Sequence, residues 1–399
     1  MANTRMAGAY TRTDFDGPHL VRREELAASH RLKLTCFPGV REEVTEEEVA
    51  SYTPPRRGGV QVLSHRGVPV SQIGIYHSQV NLYGSPLRIA SIGGVCTHPD
   101  YRGLGLATRL LDYCTHKLVA EGARLMLISG TRNLYARAGC VAAQDFEYVQ
   151  LTAGQLSNFQ RGALDAFGKV SIRRATVADA PLCARLYQAE PVHFVRRVEE
   201  FAEHLSPLEK YPGAEDWVVE IRGRVVAFLF LAVPWEYWHG PETSVREVVE
   251  YAGSRVALVD GLAQVMVQSK LAELRLFVPR QDRDLLQLLA AHGATGEAIS
   301  LTGHTMSIVN FPGLMSDLRP YVKARLAQEQ RRGLRFMQHG EHCAIVRGQE
   351  QLDLDTTAIT PLVMGPLYSP AVAAAPGPLA EITSALFPLP SFLPGLNFR

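Results

Sequence analysis

The chain has 399 residues, with 41 Lys and Arg against 40 Asp and Glu for a formal charge of +1. The length admits two or three domains, and the balanced charge argues against a generally nucleic-acid-binding surface. The longest apolar run, Val225 to Trp235, is too short to span a bilayer and contains Pro234. Residues 1–18 lack the apolar core of a signal peptide, and six scattered cysteines without a C-x-x-C pair read as reduced thiols. A cytoplasmic protein is expected.

In chain order, residues 19–22 read as a short strand, Glu24 to Cys36 as a helix, and Glu42 to Ser51 as a charged helix. The acidic pairs of that second helix read as a solvated face; beside a cleft they would attract a cationic amine. Gln61 to His65 and Pro69 to Val80 form a hairpin around Arg66-Gly67, and Leu87 to Thr97 is the next strand. Gly93 and Gly94 inside that strand signal a bulge or a close backbone approach.

The strand runs into Pro99 and a tight turn carrying Arg102, Gly103, Leu104 and Gly105. Leu106, Leu110, Leu111, Cys114, Leu118 and Val119 then recur mostly at three- and four-residue spacing, which marks a helix with one buried face. A glycine turn at a helix start aims unpaired N–H groups and the positive end of the helix dipole at one point, which suits a phosphate or pyrophosphate. The turn has no Lys after its last Gly, which excludes the P-loop. Thr108 stands where a dinucleotide fingerprint has its third Gly. What remains is Arg102-x-x-Gly105-x-Ala107. His98 reads equally as a ligand contact or as a strand cap.

Arg124 to Ser129 reads as a buried strand, followed by Gly130-Thr-Arg-Asn133-Leu-Tyr135-Ala-Arg137-Ala-Gly139-Cys140 at the start of a short helix. A phenol of unperturbed pKa about 10 stays protonated at neutral pH and can give its proton to a leaving thiolate. The bland alternative for Tyr135 is a packing aromatic with a backbone partner. Cys140 reads as a small buried hydrophobe. Asp145 to Leu151 is expected to close this first unit.

From Val170 the element order repeats. A strand, a helix over Ala180 to Gln188, and a hairpin of Trp217 to Ile221 with Val225 to Val233 come first. A strand over Val245 to Tyr251, a helix over Gly261 to Leu271 and a strand over Glu273 to Phe277 follow. Ala252-Gly253-Ser254-Arg255 stands where the phosphate turn would be, so one cofactor site per chain is expected. The cluster Trp235-Glu-Tyr-Trp238-His239 suits a pocket wall or a subunit interface alike. The last hundred residues suggest a helix over Leu314 to Arg331 and short strands at Leu334 to Gln338, Cys343 to Arg347 and Gln351 to Asp355. Helical segments at Pro361 to Tyr368 and Leu379 to Phe387 complete them. His339, His342 and Cys343 form a polar turn without the second ligand pair a structural zinc needs, so no metal is expected. Phe392, Leu393, Leu396 and Phe398, stiffened by Pro390 and Pro394, make a tail too apolar to be expected loose, and a docked or frayed tail without chemistry stands equally beside a catalytic one.

The run from Val95 through Arg102-x-x-Gly105-x-Ala107, with Tyr135 downstream, resembles the acetyl-CoA motif of the GNAT N-acetyltransferases. Two such units followed by an α+β unit resemble the enhanced intracellular survival (Eis) family. The resemblance implies an α/β and α+β fold. Residues 1–152 would be a catalytic GNAT domain, 153–310 a degenerate GNAT domain, and 311–399 a sterol-carrier-like domain. It implies acetyl-CoA as co-substrate and direct transfer to a small-molecule primary amine. The pyrophosphate would be held by Arg102, Gly103, Leu104, Gly105, Leu106, Ala107 and Thr108. Val95 and Thr97 would pair with the pantetheine arm and Asn133 would contact CoA. Tyr135 would be the general acid and the carboxylate of Arg399 the base, although the Arg399 guanidinium would repel a cationic amine. The family also implies a homo-oligomer, often a hexamer, without nucleic acid or membrane partners. The competing reading is a non-catalytic lipid or small-molecule binder with structural GNAT units, for which Tyr135 beside an intact phosphate turn would be superfluous.

Overall fold

Alternating apolar residues build the centre of the molecule. In the computed structural model, which describes residues 10–37, 59–155, 169–206, 213–237, 243–300, 304–366, 375, 377–393 and 395–398, the parallel strands Ser85–Thr97 and Leu125–Ser129 pair from Ile89↔Leu125 to Ile92↔Ile128. Successive side chains point to opposite faces of a strand. Ala90, Ile92, Met126 and Ile128 therefore join Leu106, Leu110 and Leu118 of the helix Leu106–Ala120 in one core, whereas Val119, expected on the same face, lies next to Leu118 around the helix and is 40% exposed. Ile89, Leu125 and Leu127 face a second core, shared with Phe228 and Phe230 of the second sheet and Ile345 of the third. Both faces of the sheet are covered, as a parallel pair requires.

The first sheet runs Phe15–Leu20, Gly59–His65, Val68–Leu82, Ser85–Thr97, Leu125–Ser129, His304–Ile308, with Val192–Phe194 added beside Val80 to Leu82. The second runs Gly296–Ile299, Phe146–Thr152, Glu273–Pro279, Val245–Gly253, Arg224–Ala232, Glu215–Ile221, Val170–Arg174. Each contains one parallel pair joined through a helix, Leu106–Ala120 in the first and Arg255–Gln268 in the second. The architecture is mixed α/β, consistent with two GNAT-like units. A three-stranded antiparallel sheet, Leu334–His339, His342–Arg347 and Glu350–Asp355, follows.

The expected closing strand does not close the first unit. Phe146–Thr152 crosses into the second sheet, antiparallel to Glu273–Pro279 and Gly296–Ile299. His304–Ile308 returns to close the first sheet against Leu125–Ser129. Alternation with Phe146, Val149 and Leu151 buried fixes which face of a strand is buried, not which neighbour it takes.

Two local expectations also shift. The single helix over Leu314 to Arg331 is three segments, Phe311–Asp317, Arg319–Arg325 and Gln328–Arg331. Pro320 falls in the first turn of the second segment, the helical position that tolerates a missing N–H. The helix expected from Pro361 starts earlier, as Thr356–Met364, because the Asp355 carboxylate accepts the Ala358 N–H at 2.7 Å and caps it. The short strand expected at 19–22 is Phe15–Leu20. The helix expected over Glu42 to Ser51, Trp238 and His239 of the aromatic cluster, and Arg399 lie outside the described residues. Among the described residues no helix is long and apolar enough to cross a membrane.

The exchanged strands make each sheet incomplete without the other unit. Phe146→Ala, at a fully buried position of the crossing strand, is expected to cost about 3–5 kcal/mol. Scanning calorimetry should show both units losing their fold in one shifted transition. Two separate transitions would contradict the coupling.

Candidate active site

The helix Leu106–Ala120 begins without a side-chain cap. Its N-cap is Gly105 at φ +74°, and Gly103 sits at φ +83°, in the left-handed region that glycine enters without a Cβ penalty. A Cβ at either would meet no atom within 4 Å. The backbone conformation therefore demands glycine, and the space over the turn is open. Among the described residues none accepts the N–H of Gly103, Leu104, Gly105, Leu106, Ala107 or Thr108. The first bond into the helix runs from Arg109 N–H to Gly105 O at 3.0 Å. These bare donors at the positive end of a helix dipole form an anion seat.

Beside the seat, parallel pairing stops at Ile92 and Ile128, while Ser85–Thr97 continues five residues further. From Gly93 to Thr97 the strand keeps only its antiparallel neighbour, and its register there breaks at a bulge between Gln72 and Gly74. Its other edge is open. Val95 is buried on this stretch. The Thr97 carbonyl accepts Arg102 Nε at 3.2 Å and the Cys36 thiol at 3.5 Å, and the Thr97 hydroxyl bonds Ser71 Oγ at 2.8 Å. Arg102 thus ties the turn to the strand end. His98 Nδ1 accepts the Asp100 N–H at 3.3 Å, which favours the capping reading of this residue.

Tyr135 lies in the short helix Asn133–Arg137 and is 3% exposed, in the same apolar cluster as Val95 and Leu106. Gly130 lets the ring pack on the backbone: a Cβ there would sit 2.9 Å from Tyr135 Cε2. Burial raises the phenol above its ordinary value of 10.0, Arg132 opposes and Cys140 adds to the rise. The returning strand frames this segment at both ends. Thr305 Oγ1 donates to Gly130 O at 3.1 Å, and Val141 and Met306 exchange backbone bonds of 2.9 Å. Cys140 is buried, and desolvation pushes its thiol up to about 12, which suits packing and not nucleophilic attack. Asn133 is exposed at the helix start, and no hydrogen bond joins it to the glycine turn. Tyr76 and Ser129 flank Gly93, each with an atom 3.9 Å from where its Cβ would stand. Neither has a motif that would have marked it in the sequence.

The second unit answers the same helix start differently. Ser254 Oγ caps Arg255–Gln268 by accepting the Ala257 N–H. The Glu190 carboxylate accepts the Gly253 N–H at 2.9 Å and pairs with Arg255 Nη2 at 2.5 Å, while Asp282 pairs with the same guanidinium at 2.9 Å. A built-in carboxylate sits where a phosphate would have to go. Glu190 lies more than sixty positions before the helix, so nothing local signals it.

The tail is docked through Asn397. Ser391 Oγ accepts the Asp145 N–H at 2.8 Å, Phe392 packs edge-on against Phe194 with centroids 5.7 Å apart, and Leu396 N–H bonds Glu250 at 3.2 Å. Arg196, in a buried ion pair with Glu250, donates to Asn397 Oδ1 at 2.7 Å. His339 and His342 face each other across a hairpin beside buried Cys343, whose thiol rises to about 11 by burial. Among the described residues no three His, Cys, Asp or Glu side chains could hold a metal.

Residues 18–143 match the family model described as Acetyltransferase (GNAT) domain. The fold resembles a GCN5-related N-acetyltransferase from Kribbella flavida, with a TM-score of 0.64 at 14% identity over 95% of this chain and 97% of that one. It resembles one from Anabaena variabilis, with a TM-score of 0.61 at 12% identity over 95% and 98%. It also resembles Eis1 from Mycobacterium abscessus, with a TM-score of 0.61 at 14% identity over 94% and 96%. No curated protein sequence matches the chain. Residues 18–143, about a third of the chain, are thus similar to a GNAT acetyltransferase domain, and the fold of the whole chain is similar to that of GNAT proteins. The family implies an acyl-CoA co-substrate, and the bare N–H groups beside an open strand edge fit its pyrophosphate and amide-bearing arm.

One anion seat is open and the other is filled. Titration calorimetry should therefore give one CoA bound per chain. Gly105→Val, which cannot hold φ +74° without strain, should weaken CoA binding at least tenfold. Two CoA per chain, or unchanged affinity in the variant, would contradict this assignment.

Proposed function

We propose that the protein transfers an acetyl group from acetyl-CoA directly to a primary amine of a small-molecule acceptor, in an Eis-like arrangement. The observation that carries the reading is Tyr135, a buried protonated phenol framed beside the only one of two matching helix starts left bare. The N–H groups from Gly103 to Thr108 hold the pyrophosphate, with Arg102 bracing the turn. The open edge from Val95 to Thr97 takes the pantetheine arm, and Asn133 is a further CoA contact. The co-substrate supplies an activated thioester carbonyl for the amine to attack.

Tyr135 gives its proton to the departing thiolate. Its raised pKa keeps that proton in place through neutral pH, because a phenol is protonated below its pKa. The carboxylate of the last residue, Arg399, is the proposed base for the ammonium. The described part of the tail is docked as far as Asn397. A carboxylate near pKa about 3.5 needs burial or a relay water to act in this way. Direct transfer needs no acyl-enzyme, in keeping with the inert, buried Cys140. A homo-oligomer is part of the same proposal.

Thiol release from acetyl-CoA across a panel of polyamines, aminoglycosides and peptide N-termini tests the reading. Tyr135→Phe should lower kcat about 10²- to 10⁴-fold with CoA affinity retained. The wild-type alkaline limb should lie above pH 10, since burial raises the phenol from 10.0. A chain extended by one alanine should lose kcat through displacement of its carboxylate. Full turnover by Tyr135→Phe would remove the acid assignment, and full turnover by the extended chain would remove the base.

A further inference from the structure

The helix segments Phe311–Asp317 and Arg319–Arg325 and the edge strand Leu334–His339 line an open groove of about 330 Å³. Its apolar wall is Met315, Val322, Leu334 and Phe336. Phe311 packs edge-on against Phe336 at 5.6 Å, and its N–H bonds Gln338 Oε1 at 2.8 Å. The rim is Arg319, Lys323, Arg331 and Arg335. Among the described residues no carboxylate pairs with any of these four. Arg319 donates to Ser316 Oγ at 2.9 Å and Arg331 to Ala327 O at 3.4 Å, both neutral acceptors. The adjacent acid, Asp317, is engaged by Arg124 at 2.7 Å. Four cations without a carboxylate partner among the described residues thus surround one apolar hollow.

The site is distinct from the transfer site. Arg124 immediately precedes the strand Leu125–Ser129, whereas the strands part beyond Ile128, at the other end.

We propose that this groove binds the monomer of a single-chain anionic amphiphile, an unbranched alkyl or acyl chain ending in a carboxylate or phosphate. The volume is at the lower end of small-molecule sites, which suits one chain and not a bulky ring system. The wall takes the chain and the rim takes the head group. A nucleic acid would use the cations and leave the wall bare. A neutral or cationic amphiphile would use the wall and leave the cations unpaired.

Titration calorimetry on the full chain, with CoA saturating the transfer site, tests the proposal. The probes are hexanoate, octanoate and decanoate below micelle formation, with decanol and decylamine as controls. Decanoate should bind one per chain, decylamine should not bind, and affinity should rise about three- to fourfold per added methylene. Lys323→Glu with Arg335→Glu, both at exposed positions, should weaken decanoate at least tenfold without moving the melting midpoint. Ser316→Trp, which fills the groove and keeps its charges, should abolish the chain-length dependence. Unchanged decanoate binding in both variants, equal binding of decylamine, or binding to anionic vesicles but not to free decanoate would overturn the proposal.

Discussion

The exchange of two strands is the constraint on which the rest of the molecule depends. Phe146–Thr152 leaves the first unit to sit between two strands of the second sheet, and His304–Ile308 comes back to the edge of Leu125–Ser129. An unpaired strand edge is costly to leave buried, so neither sheet is finished until both segments are in place. The returning strand also frames the loop and helix around Tyr135, through Thr305 to Gly130 and Met306 to Val141. The second unit, which has its own anion seat filled, thereby acts on the first unit's site.

The two helix starts show how one architecture is opened or shut to an anion. In the first unit, glycine at 103 and 105 bends the backbone so that successive N–H groups face open space. In the second, Ser254 caps the helix and Glu190 supplies a permanent carboxylate, held by Arg255. A phosphate arriving there would meet a negative charge already paired. The difference lies in a handful of side chains on a shared scaffold, which is why fold alone assigns no function.

Much of the site was legible in the sequence because its signals are local. The turn from Arg102 to Ala107, the apolar stripe from Leu106 to Leu118, and the hairpins turning at Arg66-Gly67 and Arg222-Gly223 each occupy a few consecutive residues. All three appear in the structure. What was not legible depends on partners distant in the chain. The alternation of Phe146, Val149 and Leu151 marks a strand, but its neighbours are more than a hundred residues away. Glu190 and Arg196 look like ordinary surface charges until Arg255 and Glu250 meet them in the fold. Over Leu314 to Arg331 the apolar spacing continues across Pro320 while the helical backbone does not.

The central claim is that the returning strand His304–Ile308 positions Tyr135, the proposed acid. The steady-state kinetics of Thr305→Val test it most directly, because the Thr305 hydroxyl donates to Gly130 O at 3.1 Å, five residues before Tyr135. Losing that bond should cost about 1 kcal/mol of positioning and lower kcat about fivefold. The dissociation constant for acetyl-CoA and the melting midpoint should hold. A wild-type kcat in Thr305→Val, or a loss confined to acetyl-CoA binding, would contradict the account.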